Sequence, residues 1–421
     1  MNPPRQIKGF WWFPEQPETR WFGTLTLASE HGPKLEVFHE GGELFSQERA
    51  PSGVIHGRDE RGTPITLLFV MPPMSSFSGA MTAMTFHAGY ALLGIAVPDV
   101  ESFAVHELRL KVQHLYGWLG ISGFIRGTPP ASEEIVVRYR QPDEVRFQLT
   151  PNLELGLGMS FHMHNGAQDK SLNEEAWIIF RSAQEFSLRR CFDLVNAVRL
   201  LLHLAVLRPL YPVLMETRKQ GHGCQLGDDW ISQDIEIWGS VLREQTDESP
   251  IGGTWTFRYE DFRNKFAVFF RDWLDYVETY DEAIGCYSCT IYHTLTSELR
   301  HLSLTQALDS YHGVKFKSHK VKGGFKEKIE DLTKAHVASL GQLVTDVSAF
   351  AEEVQATRNY YTHHNPHWLT TGKVAEKAAL IRLNEKLKLL FQMCVLADMG
   401  VPADRLPGLR RQLATEIVHM G

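Results

Sequence analysis

Two charged side chains in the C-terminal part of the chain are of the types that can cleave RNA without a metal. Arg358 and His363 stand within the string RNYYTHHNP. A histidine, whose ordinary pKa lies near neutrality, can take or give the proton of a ribose 2′-hydroxyl. An arginine can bind the adjacent phosphate through two hydrogen bonds and stabilise the extra charge of the phosphorane. A DNA strand lacks this nucleophile and would not be cut.

The apolar pattern before this pair predicts the helix that would carry it. Arg358 continues a stripe with helical spacing, and Asn365-Pro366 disfavours further helix because the residue before proline is pushed out of the α region. We therefore expect the pair about one turn apart at a helix end, where the two side chains can converge on one ligand. The stripe consists of Leu340, Leu343, Val344, Val347, Phe350, Ala351 and Val354.

The first half of the chain reads as strands and turns. Short β-branched and aromatic runs at 23–27, 34–38, 64–70, 134–139 and 177–180 predict an antiparallel, β-rich domain, with a distorted sandwich as its form. Helical spacing begins near Ser187, and Gly-rich stretches at 220–227 and 247–253 predict loops. We place a domain boundary at the second of these loops.

The second half reads as helices. Helical stripes at 262–277, 302–312 and 380–395, together with the one that leads to Arg358, predict an antiparallel bundle, and 312–324 predicts a connector. The sequence thus indicates an α+β chain. Residues 1–250 form a β-rich domain with helices from about 187, and residues 257–421 form an all-α bundle.

Charge is unevenly spread along the chain. The net charge is −7, but residues from Ser310 to the end carry 16 basic and 11 acidic side chains, a net of +5. Two interpretations stay open: a basic loop that guides RNA phosphates, or a solvated connector. The lysines concerned are Lys315, Lys317, Lys320, Lys322, Lys326 and Lys328.

Cysteine usage and hydropathy favour a reducing, cytosolic setting without a membrane span. The chain has five cysteines, and its first twelve residues contain no apolar core of a secretory signal. A weak zinc site could combine a Cys-x-x-Cys pair with a His-x-Cys pair, although buried small side chains are the preferred interpretation. These residues are His222, Cys224, Cys286 and Cys289. His162 and His164 alternate on a predicted strand and are too few for a metal.

The string RNYYTHHN resembles the Arg-polar-x(3)-His signature of HEPN domains. The segments LSLTQALDSYH and FKEKIEDL are similar to the ApeA-like HEPN subgroup, and KGFWWFPEQPETRWFGTLTL resembles the N-terminal domain of ApeA anti-phage proteins. The resemblance covers nearly the whole chain, and only the RNYYTH match is specific to individual residues.

This resemblance implies a function and a set of roles. HEPN domains are helical bundles that usually dimerise, and active members are metal-independent endoribonucleases; ApeA-like members act in bacterial defence against phage, by abortive infection. By carry-over, Arg358 would bind the scissile phosphate, His363 would be the general acid and base, and Asn359 would orient one of them. His364 also satisfies the spacing, and Tyr361 could stack a base. No cofactor is expected.

The expected partners are RNA, with tRNA as the first guess, a second copy of the chain, and a phage-derived trigger or inhibitor. Two other functions remain open. The bundle could be a non-catalytic module that binds RNA, nucleotides or proteins, which would give tight binding without product. The cysteine and histidine set could instead make a metal-dependent enzyme or sensor, which metal analysis would reveal.

Overall fold

The structure is a computed structural model, and its contacts divide the chain into two units. The first comprises Met1–Arg199 and Leu210–Ile251, and the second Leu200–Pro209 and Gly252–Gly421. The residues described are 4–28, 32–40, 53–72, 74–78, 81–125, 137–165, 170–226, 229–242, 255–316, 324–402 and 405.

The first unit is built from strands. Its helices are α1 (Leu115–Leu119) and α2 (Leu188–Val206), and the residues of α2 from Leu200 group with the second unit. Its strands are β1 (Arg5–Trp12), β2 (Trp21–Ala28), β3 (Gly32–Glu40), β4 (Val54–Asp59), β5 (Pro64–Leu68), β6 (Met74–Ser78), β7 (Met81–His87), β8 (Tyr90–Leu93), β9 (Ala104–Val112), β10 (Phe124–Ile125), β11 (Arg138–Tyr139), β12 (Val145–Thr150), β13 (Leu153–Asn165), β14 (Lys170–Ser187), β15 (Pro212–Arg218), β16 (Gly223–Leu226), β17 (Asp229–Ser232) and β18 (Ile235–Gly239).

The described strands of the main sheet run antiparallel, as predicted. Fourteen of them form one continuous sheet in the order β12-β13-β14-β9-β15-β18-β8-β5-β4-β1-β2-β3-β7-β6. The first three strands along the chain, β1, β2 and β3, show the expected alternation, since inward-facing residues such as Trp11, Leu25 and Leu35 are fully buried. Hydrogen bonds thus join these strands into one continuous sheet, and the distorted sandwich as its form stays a prediction.

One predicted loop is in fact a hairpin. Most of 220–227 was expected to be irregular, but Gly223–Leu226 pairs with Asp229–Ser232. A Cβ atom on Gly223 would lie 2.2 Å from the backbone oxygen of Ile231, so the glycine permits the close approach of the two strands. The sequence prediction took these glycines as turn residues only.

The second unit is helical. Two short 3₁₀ turns, at Arg263–Lys265 and Gly341–Leu343, interrupt it. Its helices are α3 (Tyr259–Phe262), α4 (Phe266–Thr279), α5 (Asp281–Tyr292), α6 (Ser297–Lys315), α7 (Phe325–Ala335), α8 (Val337–Leu340), α9 (Val347–His363), α10 (His367–Thr370) and α11 (Lys377–Asp398). Helix α6 packs against α5, α7, α9 and α11, which makes it the central helix of the unit.

The α+β class and most of the helices are confirmed, and two predicted helices are corrected. The stripe at 262–277 is split by the 3₁₀ turn at Arg263–Lys265. The stripe at 340–354 is also broken, because Gly341 adopts a φ of 55° and Asp346 caps a new helix. Apolar spacing continues through both breaks, so periodicity alone did not reveal them. Among the described residues no helix is long and apolar enough to cross a membrane.

Candidate active site

Helix α9 carries every residue of the predicted motif. It begins where the Asp346 carboxylate accepts a hydrogen bond from the Ala349 amide at 2.9 Å. It ends before His364, which adopts a left-handed conformation with a φ of 48° and donates its amide to the Tyr360 carbonyl. The predicted stop ahead of Asn365-Pro366 is therefore confirmed. The motif occupies the last turn and a half of the helix.

The guanidinium of Arg358 is held on one side of α9 by residues of two other helices. Its Cζ atom lies 4.4 Å from the centroid of the Phe325 ring of α7. Its Nη2 atom lies 3.8 Å from Oδ2 of Asp309 on α6, and 31% of the side chain is exposed. A half-buried arginine with an acidic partner and an aromatic partner satisfies the requirement that a charge on the packed side of a helix be compensated.

The imidazole of His363 is exposed at the helix end. Among the described residues, none forms a hydrogen bond or ion pair with the His363 side chain. Five residues of regular helix correspond to a rise of about 7.5 Å and a rotation of about 140° between the two side chains. The convergence of the two groups on one ligand stays a prediction.

The residues between them have mixed roles. Tyr361 is half-buried, and its hydroxyl donates to the Ala375 carbonyl at 3.4 Å, while the Ala375 amide donates to Oγ1 of Thr357 at 2.9 Å. Tyr360 packs edge-on against Tyr361, with ring centroids 5.0 Å apart. Tyr361 thus fastens the segment after α10 to the helix, and Asn359, also half-buried, lies beside Arg358.

Two residues near Arg358 were missed by sequence reasoning. His301 is fully buried on α6 and its Nδ1 atom lies 3.0 Å from Oδ1 of Asn384. Burial lowers the pKa of His301 to about 4, the Asn384 hydrogen bond opposes that change, and the charge of Arg358 adds to it. Asp309 lies in the segment LSLTQALDSYH, which was predicted as a helix and as part of the family resemblance, but without a role for Asp309. An acidic residue beside a buried helical stripe was the available signal.

The basic segment is only partly described. Lys315 donates to Oδ1 of Asp398 at 2.6 Å and to the Tyr311 hydroxyl at 2.8 Å, so its ammonium group is engaged in an ion pair. Lys328 donates to Oδ1 of Asp309 at 2.5 Å. Lys317, Lys320 and Lys322 lie outside the described residues.

The weak zinc candidates are dispersed over two elements. Cys286 and Cys289 lie on α5, as expected, but Cys286 is half-buried and Cys289 exposed, and Cys224 on β16 is exposed too. The expectation that these thiols are buried was wrong for all three. In the part of the chain that the structure describes, no group of three or more His, Cys, Asp or Glu side chains could hold a metal ion.

The chain combines a β-rich unit with a helical unit, and helix α9 of the helical unit ends with Arg358, the polar Asn359 and His363. This combination defines a class of two-part HEPN-type proteins. A family model described as ApeA N-terminal domain 1 matches residues 6–273, and one described as Apea-like HEPN matches residues 302–405. The chain belongs to the ApeA family. No curated protein and no solved structure shows significant similarity to it.

The family matches and the contacts place the domain border differently. The N-terminal match extends into α4, whereas the second contact unit resumes at Gly252. The border between 250 and 257 therefore stays a prediction.

Proposed function

We propose that this chain is a metal-independent endoribonuclease of anti-phage defence in the bacterial cytoplasm. The observation that supports it most is the position of Arg358, Asn359 and His363 at the exposed end of α9, inside the matched Apea-like HEPN region. The family alone indicates an anti-phage HEPN protein. The nuclease activity is inferred from the chemistry of this helix end.

The proposed reaction uses the substrate's own 2′-hydroxyl as the nucleophile. His363 acts as general base toward that hydroxyl and as general acid toward the leaving 5′-oxygen. Arg358 binds the non-bridging phosphate oxygens and stabilises the charge that develops there. Asn359 orients one of these groups. The products are a 2′,3′-cyclic phosphate and a 5′-hydroxyl.

The angular separation of the pair supports a shared site between two copies. Because Arg358 and His363 lie about 140° apart around one helix, a strand held by one of them meets the other most directly across a twofold axis. In such a dimer Arg358 of one copy would face the His363 of the partner subunit. The β-rich domain would then sense a phage-derived trigger that releases the nuclease, with tRNA as the first RNA to examine.

The test is cleavage of total bacterial RNA in excess EDTA, with sequencing of the ends. We expect the wild type to produce cyclic-phosphate ends, and Arg358→Ala and His363→Ala to produce none while they remain folded. His367→Ala, another exposed histidine just outside the motif, is the matched control and should cleave normally. A requirement for Mg²⁺ would contradict the proposal. Tight RNA binding by the dimer without any product would instead indicate a non-catalytic binding module.

A further inference from the structure

A single carboxylate on the central helix of the helical unit contacts two cations, Arg358 of the motif and Lys328 on α7. Oδ1 of Asp309 accepts a hydrogen bond from Nζ of Lys328 at 2.5 Å, and Oδ2 lies 3.8 Å from Nη2 of Arg358. The three side chains are between 23% and 31% exposed. They therefore form a partly solvated cluster, with Asp309 between the two positive charges.

The distances indicate that Asp309 orients the Arg358 guanidinium without blocking its hydrogen-bond donors. The tight ion pair is the one with Lys328, whereas the contact to Arg358 is longer than a hydrogen bond. A guanidinium has five N–H donors, and a carboxylate that blocked it would engage two of them in a bidentate pair. Here the ring of Phe325 supports one face of the guanidinium, and a third of the side chain stays open to solvent.

Removal of the Asp309 charge would disturb this arrangement. Lys328 and Arg358 both lie within 4 Å of the same carboxylate, so without it two like charges would face each other with nothing between them. Long side chains have rotamer freedom, and Arg358 would turn away into solvent. The Phe325 ring alone would hold the guanidinium weakly, because an exposed cation–π contact is modest.

We propose that Asp309 is a positioning residue of the RNA site: it holds the Arg358 guanidinium in place for the scissile phosphate while its own charge is neutralised by Lys328. This inference rests on the proposed nuclease function, since it assigns the anchor of the proposed phosphate-binding group. Asp309 touches neither substrate nor reacting atoms. It acts through Arg358.

The test compares Asp309→Asn with Asp331→Asn, a matched loss of one negative charge on α7. Removal of an acidic charge should by itself leave RNA binding unchanged or slightly tighter, as we expect for Asp331→Asn. Loss of the positioning of Arg358 should instead weaken RNA binding and slow cleavage. We expect Asp309→Asn to lower kcat roughly tenfold or more, because a displaced catalytic geometry is costly. Asp309→Glu, which restores the charge, should recover part of the loss.

A binding cycle with uncleavable 2′-O-methyl RNA separates positioning from general structure. Asp309→Asn should weaken binding about tenfold in the wild-type background, as expected for loss of one charge-assisted hydrogen bond to phosphate. It should change nothing in the Arg358→Ala background, because the group it positions is gone. Unchanged thermal midpoints would show that the variants fold.

Two outcomes would overturn the positioning role. Faster cleavage by Asp309→Asn would mean that the carboxylate restrains Arg358, and behaviour equal to that of Asp331→Asn would mean that its contact with Arg358 is incidental. Neither outcome touches the nuclease proposal, which fails separately if Arg358→Ala still cleaves RNA.

Discussion

The adjacent histidines at the end of α9 differ in backbone conformation, and this difference separates their roles. His363 is the last residue of the helix, so its side chain direction is set by the helix geometry. His364 follows in the left-handed region, and its ring packs 6.1 Å from the ring of Tyr360. A residue in this left-handed conformation turns the chain away from the helix axis, and asparagine also adopts this conformation readily. We therefore prefer His363 to His364 as the general acid and base of the proposed reaction.

Exchange of each histidine should separate these roles. We expect His363→Ala to reduce RNA cleavage by about 10²–10⁴-fold, the usual contribution of general acid–base catalysis. His364→Asn keeps a residue that tolerates the left-handed conformation and should cleave at close to the wild-type rate. Initial rates on a defined RNA, with circular dichroism to check the fold, measure both effects. The reverse pattern would assign catalysis to His364.

At the residue scale, the motif could be predicted from the sequence but its supporting partners could not. The helical stripe placed Arg358 on a packed face, and the structure finds it half-buried as expected. Phe325 and Asp309 belong to other helices, far along the chain. Their contact with Arg358 depends on how α6, α7 and α9 pack, which no local pattern encodes.

At the element scale, the start of α9 shows why periodicity misled the helix prediction. Apolar residues recur at helical spacing from Leu340 to Val354, yet the chain leaves the helical path at Gly341 and re-enters it at Asp346. The signal for the second start was present, since an aspartate before an apolar helical run is an N-cap pattern. The apolar spacing predicted one continuous helix, whereas the capping pattern indicates a new start at Asp346. The hydrogen bond that Asp346 accepts determines where α9 begins.

This cap makes a measurable contribution to the helix that carries the motif. Asp346→Ala removes the acceptor of the Ala349 amide, and we expect a loss of about 1 kcal/mol in the free energy of unfolding of the helical unit. Asp346→Asn retains an acceptor of the same shape and should be near neutral. Urea denaturation followed by hydrogen exchange in α9 measures both. Equal stability of all three proteins would show that the cap does not stabilise the helix.

The sheet illustrates the converse limit. Strands β2 and β3 were predicted from local alternation, because each buries one face. Strand β5 was predicted from a nearly continuous apolar run, and it is buried along almost its whole length. The order of the strands within the sheet was not predicted, since β8 lies between β5 and β18 and β9 lies between β14 and β15. Such pairings join residues far apart in sequence, and the gain comes from the whole sheet. A single sequence therefore predicts the strands better than their neighbours.

At the scale of the helical unit, two buried histidines link stability to pH. His203 donates from Nδ1 to the Arg208 carbonyl at 2.9 Å, and its Nε2 lies 2.8 Å from the Tyr287 hydroxyl. Gln392 donates to that same hydroxyl at 2.7 Å, which leaves the tyrosine proton for Nε2 of the histidine. The neutral ring is fully hydrogen-bonded in this arrangement. Burial lowers the pKa of His203 to about 4 despite the Arg208 hydrogen bond.

These lowered pKa values predict acid sensitivity in a defined window. In the unfolded chain each histidine takes up a proton below about pH 6.5. The folded His203 and His301 resist protonation until about pH 4, so the unfolded state binds more protons between these values. The stabilisation is thus fully present above pH 6.5 and is lost as the pH falls toward 4. The loss at pH 5 is about 2 kcal/mol for each histidine.

Replacement of the two histidines should flatten this dependence. His203→Gln and His301→Gln remove the titrating rings, and the double variant should lose less stability than the wild type between pH 7 and pH 5. A small slope will remain, because burial also lowers the pKa of His312 and of His336. The exposed His367→Ala is the control and should behave as the wild type. Hydrogen exchange of α5 and α6 is the appropriate measurement, because it reports on the helical unit alone in a chain of two units. An equally steep loss in the double variant would show that other groups, such as surface carboxylates, govern the acid response of this unit.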